Sequence, residues 1–357
     1  MLGTAPGMRS GIASVVQTYA AHGLFQRWDA VYVPTHRDGN AVDKATIASG
    51  AWLDLATRIA TGHVALLHAH LASNASFWRK ALLILPARVM RVPYVLHLHG
   101  GAFIEFYERQ AGPAKAFIRS MLADAARVIA LSDEWREAIA RIEPRARIEV
   151  IPNPVEVPAW QASLETRPPT VLFLGMLLER KGVADLLRAW PAVLAAVPDA
   201  RLVLAGSGEI DAARAMANDL GIASSVAIEG WVEGEARERV MRKAWVLALP
   251  SHVEALPMAV LESLAAGVPV VASRVGGVPA LVEDERHGLL VDARDVPGIA
   301  RALQRILTDL PLRKAMGRSA RDRAVTEFSS ELIVPRVEAL WREIAPAQEI
   351  HTRVTAT

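Results

Sequence analysis

Residues 250–273 place two carboxylates around the start of a predicted helix. This helix is predicted over about 257–266, because a proline suits its first turn and a glycine suits the position just after its last turn. Free N–H groups and the positive end of the dipole at its start favour an anion such as a diphosphate. Glu254, before the helix, and Glu262, on it, can accept hydrogen bonds from the hydroxyl groups of two sugar rings. Together they indicate a nucleotide-sugar site, although carboxylates on a helix more commonly face solvent.

A second candidate group is the cation pair Arg180 and Lys181. A fully apolar strand at 171–174 runs into Gly175, and the pair follows in the loop before a helix. Strand, loop and helix in this order are typical of one half of a Rossmann fold, whose loop approaches the phosphates of a nucleotide. An arginine can bind a diphosphate with two hydrogen bonds, and a lysine acts as a mobile point charge. The alternative is an ordinary solvated Arg-Lys pair.

Two histidines, His97 and His99, stand at the end of an apolar run that begins near residue 93. Side chains two apart in a strand share a face, and the glycines that follow end the strand with open backbone. The pair could bind a metal ion, but the sequence shows no third ligand near it, so we expect no metal site. Packing in the core explains one of the two histidines equally well.

Two glycine-rich stretches imitate nucleotide-binding fingerprints. Residues 3–11 lead directly into a helical pattern but lack both the G-x-G-x-x-G spacing and a preceding strand, which argues against a dinucleotide-dependent dehydrogenase. Gly206 and Gly208 follow a strand, yet Asp211 stands where the third glycine should be. We therefore interpret this second stretch as a turn.

Short apolar runs alternate with helical patterns along the first half of the chain. The runs at 30–35 and 65–70 are predicted strands around a helix at 44–61. A further strand, 127–132, ends at Ser132, which suits the N-cap of the next helix. This alternation predicts a parallel sheet. Prolines gather in the segment that follows, and we place a domain boundary there.

The composition is that of a protein with two α/β domains. The chain has 357 residues, of which 52% are hydrophobic, enough for two cores. No apolar run reaches the ~20 residues of a membrane span, the N-terminus lacks the pattern of a secretory signal, and there are no cysteines. A net charge of +2 without a dense basic stripe argues against nucleic acid as a partner. We expect a cytoplasmic protein, whose basic segment at 77–91 either touches an anionic membrane surface or packs on the sheet.

Residues 250–273 resemble the E-x7-E motif of the retaining glycosyltransferases of family 4, with Glu254 and Glu262 in the two motif positions. The likeness includes the preceding Pro-Ser and the Ala-Ala-Gly-Val-Pro-Val-Val run that follows. The loop that starts at Gly175 is similar to the G-x-L-x-x-x-K-G loop of the same family. The His99-Gly-Gly segment resembles the exopolysaccharide branch, in which a histidine contacts the donor sugar, although Ala102 stands where an acidic residue is expected.

The resemblance implies an α/β protein with the GT-B fold, in which two Rossmann-like domains with parallel sheets face a central cleft. We expect an N-terminal acceptor-side domain at 1–156, a C-terminal nucleotide-sugar domain at 157–333, and a helix at 334–357 that returns to the first domain. Only Met1 and Leu2 precede the first glycine loop. We therefore also expect the N-terminal sheet to lack its usual first strand, which an upstream segment of apolar residues would supply.

The resemblance also assigns roles in the site. It implies that His99, Lys181 and Glu254 are catalytic. It implies donor binding by a larger set of residues, namely Gly7, Gly11, Ser132, Gly175, Arg180, Lys181, Gly230, Glu254, Ala255, Leu256, Pro257, Met258 and Glu262. In this scheme Arg180, Lys181 and the amides at the head of the helix stabilise the departing phosphate. Because no Asp-x-Asp motif occurs, we expect neither a metal ion nor another cofactor.

The function that the resemblance implies is transfer of a hexose from a UDP- or GDP-sugar to a glycan or lipid-linked acceptor. Configuration at the sugar would be retained, and the reaction would serve surface polysaccharide synthesis at the inner face of the cell membrane. Two alternatives stay open: a sugar-nucleotide epimerase of the same architecture, and a degenerate, non-catalytic sugar-nucleotide-binding protein. A phosphorylase is disfavoured because the sequence shows no recognisable lysine site for pyridoxal phosphate.

Overall fold

The computed structural model of the chain describes residues 1–5, 8, 10–35 and 41–345, with the backbone alone at 41–49 and 51. The chain divides into two units. One comprises Met1–Pro152 together with the segment from Glu331 onwards, and the other comprises Asn153–Ser330. The boundaries predicted from the sequence lie a few residues further along the chain.

In the described residues, the first unit contains one parallel sheet of six strands. The strands are β1 (Leu2–Gly3), β2 (Val33–Pro34), β3 (Leu67–Leu71), β4 (Tyr94–Leu98), β5 (Arg127–Ala130) and β6 (Ile148–Val150), in the sheet order β2-β1-β3-β4-β5-β6. The helices are α1 (Gly11–Ala21), α2 (Leu24–Arg27), α3 (Ala41–Ala60), α4 (Ala75–Val89), α5 (Phe103–Glu108), α6 (Gly112–Asp124) and α7 (Asp133–Ile142). β3 and β4 are buried at every position, as expected for a parallel sheet covered on both faces.

Leu2 and Gly3 form a strand at the position where we expected a missing one. β1 pairs in parallel with β2 on one side and with β3 on the other. The Leu2 side chain is fully buried. Two residues suffice because the backbone still bonds to β2 at both ends: Val33 N–H donates to Met1 O at 2.8 Å, and Thr35 N–H donates to Gly3 O at 2.8 Å. The expectation of a sheet without its first strand is therefore wrong.

The second unit contains another parallel six-stranded sheet. Its strands are β7 (Thr170–Leu174), β8 (Arg201–Ala205), β9 (Val226–Gly230), β10 (Val246–Leu249), β11 (Val270–Ser273) and β12 (Gly288–Val291). Its helices are α8 (Val183–Ala196), α9 (Ile210–Asp219), α10 (Gly234–Lys243), α11 (Met258–Ala265), α12 (Val278–Leu281), α13 (Val296–Thr308) and α14 (Leu310–Arg323). Short 3₁₀ turns lie at Glu179–Lys181 and Ala223–Ser225, and a π-helical turn lies at Ala324–Phe328.

The second sheet reverses its winding at β7. Its order is β12-β11-β10-β7-β8-β9, so the chain builds outward from β7 on one side and then returns to start again on the other. Dinucleotide-binding sheets have the same order, and their ligands bind beyond the carboxyl ends of the two strands at the reversal point. These strands are β7 and β10. The loops that follow them, 175–182 and 250–257, are the segments that the sequence singles out for chemistry.

The C-terminal helix α15 (Ser330–Ile344) packs in the first unit. Val337, Leu340 and Trp341 are buried at helical spacing. The Trp341 indole donates a hydrogen bond to Nδ1 of His68 at 2.9 Å, which joins the helix to β3. No helix among the described residues, this one included, combines the length and the hydrophobicity that a membrane crossing requires.

Candidate active site

The loops after β7 and β10 pack directly against each other. Gly182, at the end of the first loop, has a left-handed backbone with φ 71°, and a Cβ there would lie 1.9 Å from the Pro250 carbonyl oxygen. The N–H of His252 donates to the carbonyl oxygen of Arg180 at 2.8 Å. Only glycine is compatible with this approach, so the Lys-Gly sequence brings one loop onto the backbone of the other.

Lys181 and Glu254, both predicted to be catalytic, form an ion pair between these loops. Lys181 Nζ lies 2.6 Å from Glu254 Oε1, and the two side chains are 17% and 7% exposed. Ser251 Oγ donates to the same oxygen at 2.7 Å. Oε1 therefore accepts two hydrogen bonds, whereas no described residue donates to Oε2. The arrangement holds a cation next to an available carboxylate oxygen, which suits a diphosphate attached to a sugar.

Helix α11 begins and ends within one residue of the prediction at each end. Pro257 takes the N-cap position, and no side chain in the described part of the protein caps the helix. Gly267 has φ 73°, the left-handed conformation expected just after the last turn. The first-turn N–H groups, which begin at Met258, therefore have no side-chain acceptor and can receive an anion.

Ala255 and Leu256, predicted to contact the donor, are fixed through their backbone. Gly277 N–H donates to the carbonyl oxygen of Ala255 at 2.7 Å. Asn153 Nδ2 donates to the carbonyl oxygen of Leu256 at 3.0 Å. The approach to α11 is thus anchored by main-chain contacts, which are independent of the side chains at these two positions.

Glu262 is held by an arginine that sequence reasoning missed. Arg237, on α10, donates from Nε to Glu262 Oε2 at 3.0 Å, and its terminal nitrogen contacts the same oxygen. The two side chains are 26% and 23% exposed. Arg237 stands among acidic and basic residues that alternate along α10, so the local sequence does not distinguish it from its neighbours.

The turn 206–208 packs on the loop after β7. A Cβ on Gly206 would lie 1.6 Å from the carbonyl oxygen of Gly175. Leu177 N–H donates to the carbonyl oxygen of Ser207 at 2.7 Å. These contacts confirm the interpretation of this stretch as a turn, because its glycines serve a close backbone approach.

Arg180 and Gly230 differ from the residues above in making few contacts. The Arg180 side chain is exposed and forms no ion pair with the described residues. Gly230 ends the edge strand β9 with φ 68°, and an added Cβ would meet no atom of the described residues within 4 Å. Gly230 lies two strands from β7 in the sheet order.

Asp185 and His252 form a further contact that sequence reasoning missed. His252 Nε2 lies 2.7 Å from Asp185 Oδ2 on α8, and Arg188 donates to Asp185 Oδ1 at 2.9 Å. The Asp185 side chain is 9% exposed and that of His252 is 12% exposed. The contact ties the loop after β10 to the helix after β7. An aspartate in the first turn of that helix was the available signal.

His99 and Ser132 follow adjacent strands of the first sheet. His99 N–H donates to the carbonyl oxygen of Leu71 at 2.7 Å, and its side chain is partly exposed. Ser132 is the N-cap of α7, as predicted, and its buried hydroxyl accepts a hydrogen bond from Trp135 N–H at 3.3 Å. Both residues therefore lie at the carboxyl edge of the sheet.

Of the two glycines of the N-terminal loop that were predicted to bind the donor, the structure describes Gly11. Gly11 is the first residue of α1, and Ser10 caps that helix by accepting a hydrogen bond from Ala13 N–H at 3.2 Å. Gly7 lies outside the described residues.

Four histidines form a cluster on one face of the first sheet. His68 and His70 on β3 lie beside His97 and His99, because β3 and β4 pair with His70 opposite His97. Ligand atoms of His68, His70 and His97 lie within 4.8 Å of one another. The expectation that no third ligand stands near the pair is therefore wrong, since cross-strand neighbours are far apart in the sequence. Their nitrogens are bonded in pairs, His68 Nε2 to His97 Nδ1 at 3.2 Å and His70 Nδ1 to His99 Nε2 at 2.8 Å.

The four imidazoles are held neutral near pH 7. Burial lowers the pKa of the three fully buried histidines well below its ordinary value of 6.5. Burial, assisted by the Lys80 ammonium, lowers the pKa of His99 to about 3. Burial and then Arg79 lower the pKa of Lys80 itself to about 7. His99 is thus a neutral hydrogen-bonding group, which can contact a sugar hydroxyl but brings no charge to a phosphate.

Among curated relatives, an uncharacterized glycosyltransferase of Methanocaldococcus jannaschii is 28% identical over 274 residues, 71% of this chain and 70% of that protein. A GDP-mannose-dependent alpha-(1-6)-phosphatidylinositol monomannoside mannosyltransferase of Mycobacterium tuberculosis is 32% identical over 218 residues. That alignment spans 56% of this chain and little more than half, 57%, of the relative. Among solved structures, Anabaena HepE in complex with UDP-glucose has a TM-score of 0.75 at 17% identity, covering 96% of this chain and 98% of that chain.

Two family models match the chain one after the other. Residues 9–157 match the model described as Glycosyltransferase Family 4, and residues 158–323 match the model described as Glycosyl transferases group 1. The structural neighbours share the architecture of two parallel sheets flanked by helices. The chain therefore belongs to the family 4 type of glycosyltransferases, which have the GT-B fold.

Proposed function

We propose that this protein transfers a hexose from a nucleotide diphosphate sugar to a glycan or lipid-linked acceptor, with retention of configuration. The observation that carries the proposal is the Lys181–Glu254 ion pair, placed where the second sheet reverses and next to the uncapped start of α11. The relatives support a sugar nucleotide as donor, because one is named as GDP-mannose-dependent and another structure contains UDP-glucose.

The diphosphate binds at Lys181, Arg180 and the first-turn amides of α11. As the bond between the sugar and the phosphate oxygen breaks, negative charge grows on the departing nucleotide, and these groups are already aimed at it. An ammonium has three N–H donors, so Lys181 can keep its bond to Glu254 while it binds a phosphate oxygen. The ion pair therefore positions the cation before the donor arrives.

The two motif carboxylates bind the two sugar rings. Glu254 Oε2 accepts a hydrogen bond from a hydroxyl of the hexose, since Lys181 and Ser251 already occupy Oε1. Glu262 accepts from the ribose, with Arg237 holding its other side. The resemblance of the His99-Gly-Gly segment to the exopolysaccharide branch supports a surface glycan, or its lipid-linked precursor, as acceptor.

Transfer proceeds without a divalent metal in this proposal. Both motif carboxylates are paired with cationic side chains, Lys181 and Arg237. Carboxylates neutralised in this way are poor ligands for Mg²⁺, which needs oxygen donors with available charge. The cations of the chain supply the positive potential instead.

The experiment is a donor panel. UDP- and GDP-hexoses are incubated with the purified protein, with and without oligosaccharide and lipid-linked acceptors, and the released nucleotide is measured. We expect release that depends on the acceptor and survives EDTA, with NMR of the product showing the donor's anomeric configuration. An epimerase would interconvert sugars without releasing nucleotide, and a non-catalytic protein would bind donors without turnover. Either result overturns the proposal.

A further inference from the structure

We propose that His70 fixes the tautomer of His99, so that His99 offers a bare Nδ1 to a hydroxyl group of the donor sugar. The inference rests on the proposed function and deepens it, because it gives the direction of one sugar contact. His99 carries a proton on Nε2 and donates it to His70 Nδ1, across the 2.8 Å that separate the two nitrogens. His70 is then a positioning residue, which lies on β3 one residue before the strand ends.

The direction of this hydrogen bond follows from the other side of the His70 ring. His70 Nε2 lies 3.3 Å from the sulfur of Met1. A thioether sulfur has no proton and can only accept, so His70 must carry its proton on Nε2. A neutral imidazole has one N–H, and His70 Nδ1 is therefore an acceptor. The opposite arrangement would set a nitrogen lone pair against the sulfur lone pairs.

His99 is left with its lone pair on the outward nitrogen. The same rule of one proton per neutral ring places the His99 proton on Nε2 and leaves Nδ1 bare. Nδ1 has no hydrogen-bond partner within the described residues, and His99 is the only member of the cluster that is partly exposed. A sugar hydroxyl that meets His99 must then act as the donor of the hydrogen bond.

The same argument assigns the tautomers of the second histidine pair, His68 and His97, in the core. The Trp341 indole donates to His68 Nδ1 at 2.9 Å, so His68 is protonated on Nε2 and donates to His97 Nδ1 at 3.2 Å. His97 then carries its proton on Nε2, which is buried and has no partner among the described residues. His68 is as buried as His70 but does not bond to His99. It therefore provides a matched control.

The tautomer can be read directly by nitrogen NMR. The full chain is labelled with ¹⁵N-histidine, and the His99 signals are assigned by comparison with His99→Gln. We expect a protonated Nε2 and a bare Nδ1 for His99 at neutral pH. A proton on Nδ1, or on both nitrogens, overturns the proposal whatever the activity, and this measurement needs no core variant to fold.

Two variants of His70 and one control variant of His68 test whether His70 sets this state. In His70→Asn the side-chain amide oxygen can replace Nδ1 as acceptor. We therefore expect His99 to keep its tautomer and the enzyme to keep its kcat/KM for the donor. His70→Leu removes the acceptor, and we expect a mixture of His99 tautomers and about a two- to tenfold lower kcat/KM, the range that one hydrogen bond accounts for. His68→Leu, equally buried, should leave the His99 signals in the Nε2-protonated pattern. Unchanged His99 signals in folded His70→Leu would remove His70 from the role.

Fluorinated donors test the sugar contact. Fluorine cannot donate a hydrogen bond, so each donor hydroxyl is replaced in turn by fluorine and binding is measured by calorimetry. One position should lose affinity with the wild type and lose none with His99→Leu. If every position behaves alike in both proteins, the contact does not exist. If the enzyme turns over but His99 has the opposite tautomer, only this inference is wrong. If His99 has the expected tautomer but no donor binds at all, both the proposed function and the sugar contact are wrong.

Discussion

Lys181 links the chemistry of the site to the stability of its loops, because its ammonium is the charged partner of a nearly buried carboxylate. We predict that Lys181→Ala lowers kcat by ~10²–10³, the scale of one lost contact to developing phosphate charge. We also predict a loss of about 1–3 kcal/mol in the free energy of unfolding, since Glu254 keeps only the Ser251 hydroxyl as a partner. Steady-state turnover and thermal unfolding of the purified variant measure the two effects separately.

A double substitution separates charge pairing from catalysis. Lys181→Met combined with Glu254→Gln removes both charges, so no buried carboxylate is left uncompensated. Stability should return toward the wild-type value while turnover stays low. Near-normal turnover in Lys181→Ala would remove Lys181 from the site.

Gly182 allows a second prediction with a matched control. Gly182 and Gly221 have φ of 71° and 68°, so alanine is strained at both by about 1 kcal/mol. An added Cβ meets the Pro250 carbonyl oxygen at 1.9 Å at Gly182, whereas at Gly221 it meets no atom within 4 Å in the part of the chain that the structure describes. We predict that Gly182→Ala costs about 2 kcal/mol more stability than Gly221→Ala and raises the donor KM. Equal unfolding temperatures for the two variants would contradict the close approach of the loops.

Lys80 makes stability depend on pH. Its pKa is about 7 in the folded chain, against an ordinary value of 10.5, because the ammonium is buried. Between these values the unfolded chain holds a proton that the folded chain has released, so stability rises with pH across this window. We predict that Lys80→Met stabilises the protein by on the order of 1–3 kcal/mol below pH 7, and that the gain shrinks toward pH 10.5. Urea unfolding over this pH range measures it, and a gain that does not change with pH would show that Lys80 does not titrate on folding.

At the scale of elements, α10 supports the motif carboxylate on α11. We predict that Arg237→Met raises the donor KM by about three- to tenfold, since Glu262 loses the charged hydrogen bonds that orient it. Arg239→Met, an exposed change on the same helix, should have no such effect. Calorimetry with the donor nucleotide provides the comparison. Identical affinities of the two variants for the donor nucleotide would show that Glu262 keeps its orientation without Arg237.

Elements could be predicted where their signals are local. The ends of α11 follow from a proline and a glycine within the segment, and the prediction is correct to one residue. The histidine cluster could not be predicted in the same way, because its members on β3 and β4 are 29 residues apart and meet only through strand register. β1 was missed for a related reason. Two residues carry no periodicity, and the strand exists because β2 and β3 flank it.

At the scale of the whole molecule, α15 contributes to the stability of the first unit. We predict that Trp341→Phe accelerates amide hydrogen exchange in β3 and β4 and leaves β7 and β8 unchanged. The reason is that His68 Nδ1 would lose its donor in the core, at a cost of about 1–3 kcal/mol. Exchange read by mass spectrometry assigns the change to peptides. Faster exchange in both units alike would contradict the assignment of α15 to the first.

The alternation of apolar runs and helices predicted a parallel sheet in the first half of the chain, and the family resemblance implied a second one. The order of the strands within the two sheets could not be read from the sequence. The loops at 175–182 and 250–257 were each predicted from local sequence. That they meet follows only from the strand order, in which β7 and β10 are neighbours at the reversal of the winding. Arg237 and Asp185 illustrate the same limit. Each lies on a helix next to the site, and its importance comes from a partner that the chain reaches only later, Glu262 for Arg237 and His252 for Asp185.

The two crossings of the chain between the units have a consequence for protein engineering. Val155 and Ser329 form a parallel bridge, and Val155 exchanges backbone hydrogen bonds with Phe328 and Ser330 at 2.9 Å each. The second unit is thus a continuous insert whose two ends lie side by side. Adjacent chain ends are the reason why domains tolerate insertion into another chain. Residues 153–330 are therefore a cassette that can be exchanged between relatives. Under the proposed function, such chimeras would combine the donor of one protein with the acceptor of another.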